Sequence, residues 1–447
     1  MKETAAAPSP TKKARHSWFE ALVTWVNQSP HGFVAEQTVS LDSNRTLRTI
    51  KHVAEGEILF RVPAITAGTT DAHLAWYLAN RPASIHPYLA SLPTDASLPR
   101  DNPGLDELLT GSPVLRHLQQ SRQQVRNAYD TLLKEEEKST ETITWENFRF
   151  SYNTVTSRAF DGPMMVPLLD LCDHVRGSGQ QKKNVSYTFL PAGNNEGGVI
   201  IAVARAAVPI AAGAALNITY GAQPNAQLYV NYGFCVYENF EPDGSSNDVL
   251  EYAEGVLLRT GPRSYTYGPL VKALELVAIG DTADTTDSSG GQANDGDMED
   301  FLNECEAEED EAGDFADCYG NVVESPPNTE SEDKGEELNG IRLLHKQLVA
   351  RSEKYETLKC TLERDQEPTP QFVEYAAMLL RSDLRILQFY VATLCKLEQL
   401  LASDGDTKLQ LVSLAKLDQS ERSLVDQQVQ DLCDAYMQIR HPEPPHT

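Results

Sequence analysis

The spacing of apolar residues changes along this chain, and each change marks an element. Trp18, Leu22, Trp25 and Val26 recur at helical spacing and predict a short amphipathic helix. Strand-like pieces follow at 32–35, 46–53 and 57–63. The turn Ala54-Glu55-Gly56-Glu57 predicts a hairpin between the last two, its glycine meeting the demand for positive φ. From about residue 70 to Arg158 the pattern is helical. Trp145, Phe148, Tyr152 and Val155 step by three, four and three, so they share one helix face, with Thr144 placed as N-cap. Core packing accounts for that stripe without a ligand. Beyond Phe240 the chain is helical again. Leu380, Leu384, Leu387, Val391, Leu394, Leu397 and Leu401 form a long apolar seam, and residues 411–439 offer at least one more helix. The expected end of the chain is a helical bundle, which by itself specifies no partner.

Charge changes this picture in one place. Of the formal −27, residues 281–338 supply −20, with 21 Asp/Glu against the single basic residue Lys334. Glycine, serine, threonine and asparagine interleave the acids and aromatics are scarce, so the stretch cannot bury enough apolar area to offset its ordering entropy. It reads as a solvated, disordered insertion in an otherwise mildly acidic protein. At 447 residues the chain is long enough for two or three modules. The seven cysteines are an odd number and contain no CxxC pair. They argue against a disulfide framework or zinc ribbon and fit a reducing compartment.

The most apolar run, 199–218, is broken by Arg205, Pro209, Gly213 and Asn217, so no membrane span is expected. The basic residues Lys12, Lys13 and Arg15 have no apolar region behind them and make no secretory signal. A cytoplasmic home is the default, with nucleus and plastid left open. No P-loop, HExxH, GxSxG or basic stripe points to hydrolysis or nucleic-acid binding.

The densest chemistry lies between Ser157 and Phe240. The chain reads Ser157-Arg158-Ala159-Phe160, then Pro167 to His174 as PLLDLCDH, then Asn184-Val185, Tyr220-Gly221, Pro224-Asn225 and Tyr232-Gly233-Phe234. Each piece alone is weak. In this order they resemble the C-terminal half of a SET domain of the RuBisCO large-subunit methyltransferase-like class, which also includes actin-histidine methyltransferases. No cysteine-rich tail follows Tyr232, in keeping with that class. The resemblance covers residues 18–240 well and 340–440 loosely.

It implies an α+β fold: a mostly-β SET domain of small twisted sheets, pseudoknot-like, with a helical insertion and an α-helical C-terminal domain. The expected organisation is a flexible tail at 1–15, the N-terminal SET part at 16–69 and the helical insertion at 70–150. The motif-bearing part follows at 151–240, then a substrate-binding-like helical domain at 241–447 interrupted at 281–338.

By the same resemblance the cofactor is S-adenosyl-L-methionine and the partner is a protein substrate carrying a target lysine, or a histidine. A monomer is expected, with no nucleic acid, membrane or metal involved. Tyr220 matches the catalytic tyrosine that orients the acceptor nitrogen, and Tyr232 the second tyrosine lining the acceptor channel. Asp173 and His174 stand where the class carries its donor-binding Asn-His pair. Aspartate is a departure, since an ionised carboxylate only accepts hydrogen bonds. Asp170-Leu171-Cys172-Asp173-His174 also reads as a metal cluster, but no further ligand motif accompanies it.

Arg158 and Asp170 match positions that contact the bound acceptor, and a purely structural ion pair is an equal alternative. Ser43, Asn44 and Arg45, with Thr46, align with the Gly-x-Gly loop that closes on the methionine part of the donor. Losing its glycines implies another path for the loop or weaker donor binding.

Methyl transfer from a sulfonium to an amine needs the two held in line, water excluded and the nitrogen neutral. Neutralising a free lysine at pH 7 costs roughly 4–5 kcal/mol. An apolar channel and a nearby sulfonium both lower that cost. Histidine is already largely neutral and needs only orientation. A non-catalytic SET protein acting through its helical region is the competing reading.

Overall fold

A computed structural model describes residues 17–42, 45–110, 112–135, 143–160, 162–175, 182–192, 199–237, 239–241, 243–253, 255–278, 333–364, 371–402 and 419–440. The chain divides into two compact units. The first comprises residues 1–103, 118–220 and 230–233, and the second residues 104–117, 221–229 and 234–447. Helices and small sheets alternate in the first unit and helices dominate the second, which is the α+β class expected.

In the first unit, α1 (Ser17–Gln28) buries Phe19, Leu22 and Val26, while Trp18 and Trp25 are only half-buried. The apolar face is therefore turned by one residue from the predicted one. Strand β1 (Phe33–Val34) pairs antiparallel with β4 (Ile58–Pro63). That strand pairs in turn with β10 (Ile200–Ala206), and β9 (Val185–Pro191) closes the four-stranded sheet.

The hairpin predicted across residues 54–57 does not form. Ala54 and Glu57 do close a turn, with Glu57 N donating to Ala54 O at 3.1 Å and Gly56 at φ +77°. The preceding strand, β3 (Leu47–Thr49), pairs instead with β2 (Val39–Leu41), in register Val39↔Thr49. The hairpin is thus β2–β3, and beyond its strands Asp42 N donates to Thr46 O at 3.1 Å. Strands of two or three residues carry too little period to name their partner.

The remaining strands are short. Between them β5 (Ile65–Thr66), β6 (Ala159–Phe160) and β7 (Met164–Met165) make a three-stranded sheet in the order β5-β7-β6. Strand β8 (Asp173–His174) pairs in parallel with β11 (Asn217–Ile218). Helices α2 (Asp71–Ala79), α3 (His86–Ser91), α4 (Gly104–Leu108), α5 (Pro113–Glu135) and α6 (Trp145–Thr156) lie between β5 and β6 in the chain. Helix α6 starts as predicted, Thr144 Oγ1 accepting from Asn147 N at 3.3 Å. Its Phe148 and Val155 are fully buried, and Phe148 packs on Trp76 of α2 with ring centroids 5.8 Å apart.

One buried cation anchors this helical layer. Arg100, 4% exposed, donates to Asn153 Oδ1 through Nε (3.1 Å) and Nη2 (2.9 Å), to Ser121 Oγ (2.7 Å) and to Thr156 Oγ1 (3.1 Å). Burial lowers its pKa from the usual arginine value. Replacing it takes the donor from two buried acceptors, Asn153 and Ser121, and from the part-buried Thr156, so Arg100→Leu is expected to cost roughly 2–4 kcal/mol of stability. A chemical-denaturation midpoint indistinguishable from wild type would show that the acceptors find other partners.

The second unit holds β12 (Leu250–Ala253), β13 (Val256–Leu258), α8 (Arg263–Ala278), α9 (Asp333–Arg364), α10 (Gln371–Ala402) and α11 (Gln419–Arg440). The predicted seam lies on α10, where Leu380, Leu384, Leu387, Leu394 and Leu397 are buried and Val391 and Leu401 are half-buried. This unit begins earlier than the expected boundary at 240. An ion pair joins Arg116 to Glu251, Asn225 Nδ2 donates to Asp248 Oδ2 at 3.0 Å, and Tyr229 OH donates to Phe372 O at 2.8 Å. Those bonds draw residues 104–117 and 221–229 out of the expected SET segments.

The acidic stretch also ends earlier than expected. Residues 281–332 lie outside the described residues, but 333–338 open α9, and Tyr436 OH donates to Glu337 Oε1 at 2.7 Å. Acids suit a helix N-terminus, where they face its unpaired N–H groups. Among the described residues no helix is long and apolar enough to cross a membrane.

Candidate active site

The site is built where the parallel pair β8–β11 sets two distant segments side by side in the first unit. Asp173 N donates to Leu216 O at 3.2 Å and Val175 N to Ile218 O at 2.9 Å. Asn184, which follows the motif run, latches the pair. Its Oδ1 accepts from Asn217 N at 2.8 Å and its Nδ2 donates to Ala215 O at 2.8 Å. On the other side Leu216 N donates to Leu47 O at 2.8 Å, so the β2–β3 turn stands beside the same strand.

Tyr220 is where these elements converge. Its backbone N donates to His174 Nδ1 at 2.9 Å, and its hydroxyl donates to the Cys172 carbonyl at 3.2 Å. Gly221 follows at φ +92°, a conformation only glycine takes freely, so the chain can turn directly after the tyrosine. The His174 ring lies 4.8 Å from that of Tyr220 at 33°. The Tyr232 ring, from the end of α7 (Asn225–Tyr232), lies 5.0 Å from it on a 30° tilt. Burial pushes the Tyr220 phenol well above its ordinary value, with Tyr232 adding to the shift. Tyr220 is therefore a neutral hydrogen-bond donor throughout the working pH range and not a base.

Arg158 and Asp170 form a part-buried ion pair. Arg158 Nη1 donates to Asp170 O at 2.9 Å and approaches Oδ2 at 3.4 Å, and the Asp170 side chain is 2% exposed. Tyr88, fully buried on α3, donates to the same Oδ2 at 3.0 Å. Burial raises the Asp170 carboxyl above the ordinary range, against the opposing pull of Arg158 and the hydrogen bonds. Nothing local in the sequence flags Tyr88, whose partner is 82 residues away.

Ser43 and Asn44 lie outside the described residues. Arg45 is described, and it is the residue that takes the left-handed conformation, φ +68°. Its guanidinium stacks over the Trp18 ring at 4.6 Å and donates to Ser91 O. Burial lowers its pKa first, Arg158 lowers it further and Asp170 opposes both, so the two guanidiniums share one neighbourhood. Next to it, Thr46 N donates to Asp42 Oδ1 at 3.0 Å. Partial burial raises the Asp173 carboxyl, although the residue as a whole is exposed; Thr46 and Arg48 oppose the rise and Asp42 adds to it. Asp42 is itself paired with Arg48 at 2.7 Å.

The structure thus gathers Arg45, Arg158, Asp170, Asp173, His174, Tyr220 and Tyr232 in one unit. Asn225 of the Pro-Asn motif is otherwise employed. It is 2% exposed in the second unit and tied to Asp248 and to the backbone of Val236. Phe160, Tyr187 and Phe189 form a half-buried aromatic cluster, with centroids 5.5 to 6.4 Å apart, that begins two residues after Arg158. Among the described residues no group of three or more His, Cys, Asp or Glu is arranged to hold a metal ion.

No protein-family model matches this chain, and no curated protein matches it by sequence. Solved structures do. The SET domain of LSMT bound to lysine and AdoHcy aligns with a TM-score of 0.60 at 16% identity, covering 93% of this chain and 99% of that one. The SET domain of LSMT bound to methyllysine and AdoHcy gives 0.56 at 17% identity, over 86% of this chain and 93% of that one. Rubisco LSMT bound to AdoMet gives 0.54 at 16% identity, over 92% and 99%. The fold is therefore the SET-domain fold of LSMT with its helical C-terminal region.

Proposed function

We propose that this chain is an S-adenosylmethionine-dependent protein methyltransferase whose acceptor is a lysine side chain. The observation that carries the reading is the row of rings His174, Tyr220 and Tyr232, with a neutral hydroxyl on the central one. The structural relatives bind lysine or methyllysine together with AdoHcy, or AdoMet alone, and lend the reading support. The side chains at β8 suit such a donor: Asp173 offers a carboxylate to a cationic group, and His174 offers a ring face.

When bound, the donor supplies an electrophilic methyl group on a sulfonium. The rest falls to the chain. Tyr220 donates a hydrogen bond to the Cys172 carbonyl, and a phenolic oxygen that donates can also accept from an incoming amine N–H. The hydroxyl orients the nitrogen and takes no proton from it. The faces of Tyr220 and Tyr232 hold a cationic side chain by cation–π attraction as it sheds water. Their apolar surface also favours the neutral amine that reacts. Asp170 stays engaged by Arg158 and Tyr88 and serves to position.

The test is to incubate the full chain with methyl-labelled S-adenosylmethionine and a cell extract, then to locate the label by mass spectrometry. N-methyllysine in a protein is the expected product. Methylhistidine without methyllysine would replace the acceptor, and no labelled protein would favour a non-catalytic SET protein.

A further inference from the structure

Helix α3 sends two of its six residues to the site. The Tyr88 hydroxyl donates to Asp170 Oδ2 at 3.0 Å, and the Ser91 carbonyl accepts from Arg45 of the β2–β3 turn. Ser91 Oγ donates to Tyr88 O at 2.6 Å and ties the two together. One short helix thus holds both the turn and the motif run.

Packing accounts for the ring of Tyr88 but not for its oxygen. The side chain is fully buried, and a phenylalanine would fill nearly the same space. A buried hydroxyl needs a partner, and this one takes a carboxylate oxygen 82 residues away. Burial holds the phenol well above its ordinary value, with the Asp170 charge adding to the shift, so it keeps its proton and stays a donor. It is also the closer of two holds on that oxygen, since Arg158 Nη1 approaches Oδ2 only at 3.4 Å. The other titratable or charged groups facing Asp170 are Arg45, from the turn, and Cys172, from its own run. The positive charge of Arg158 is in turn felt by the Tyr220 phenol, so the ion pair lies beside the central ring of the site.

We propose that Tyr88 is a positioning residue for methyl transfer: its hydroxyl aims the Asp170 carboxylate, and through it the Arg158 guanidinium, beside the tyrosine that orients the acceptor nitrogen. This rests on the methyltransferase reading above. With no exposed surface, Tyr88 acts only through Asp170. Its bond favours the charged carboxylate, so removing the hydroxyl raises Asp170 further.

Tyr88→Phe keeps the ring and tests the oxygen alone. Single-turnover transfer from methyl-labelled S-adenosylmethionine to the extract protein that wild type labels should slow roughly 10-fold or more, with donor affinity unchanged. The acidic limb of the rate profile should move to higher pH than in wild type. In an Asp170→Asn background, where this carboxyl no longer titrates, adding Tyr88→Phe should leave the limb in place. A slower rate with an unmoved limb would reduce Tyr88 to a packing residue and overturn the proposal. A second readout needs no activity. The stability difference between Tyr88→Phe and the double variant should be lost at higher pH than that between wild type and Asp170→Asn. Coincident curves would show that the hydroxyl does not act on Asp170. Shifted stability curves with no methyl transfer by wild type at any pH would instead refute the methyltransferase reading, and the role in turnover with it.

Discussion

Tyr220→Phe is expected to lower the rate of methyl transfer on the order of 100-fold or more while leaving donor affinity unchanged. The substitution removes one oxygen. That oxygen donates to Cys172 O, and the ring that carries it lies 5.0 Å from the ring of Tyr232. A group that orients the acceptor nitrogen acts on the reacting centre and not on the adenosine, so the loss should fall on turnover. Because burial keeps the phenol protonated, the rate should show no ionisation of Tyr220 at neutral to mildly alkaline pH. Single-turnover kinetics with labelled donor, paired with calorimetry, separates the two effects. An unchanged rate would mean that another group positions the nitrogen.

The largest effect on stability is expected at Asp170. Asp170→Ala leaves Arg158 as a part-buried cation without its carboxylate and Tyr88 without its acceptor. Breaking a buried pair from one side typically costs about 3–5 kcal/mol. Asp170→Asn keeps an acceptor for both and should cost far less. The sign of the pH dependence follows from the raised carboxyl. A carboxyl that binds its proton more tightly when folded adds stability at pH below the unfolded value. That contribution is lost as pH rises through the folded value. Wild type should therefore lose stability relative to Asp170→Asn as pH climbs from the ordinary carboxylate range through the raised one. Denaturation midpoints taken across that range check both parts, and parallel pH profiles would show that Asp170 is not protonated more readily in the fold.

Much of this was legible because it is local. The aromatic stripe of α6 and its Thr144 cap are written in twelve consecutive residues and their neighbour. The seam on α10 is a property of one helix. The tyrosines and the Asp-His pair can be proposed from the sequence only through their resemblance to the SET pattern, because the motifs keep their order along the chain. What could not be read depends on partners far away in sequence. The choice of β2 and not β4 as partner of β3 is one case. The hydroxyl of Tyr88 on Asp170 is another, and Asn225 serving Asp248 instead of the site is a third. The side chain of Arg45 belongs with these. Its place between Trp18, Ser91 and Arg158 appears only once those segments are brought together.

The most direct test of the account is titration of the purified full chain with S-adenosylmethionine in a calorimeter, with His174→Ala alongside. The account predicts saturable binding at one site per chain, weakened when the His174 ring beside Tyr220 is removed. No heat of binding at high donor concentration, in a protein that melts cooperatively, would contradict it.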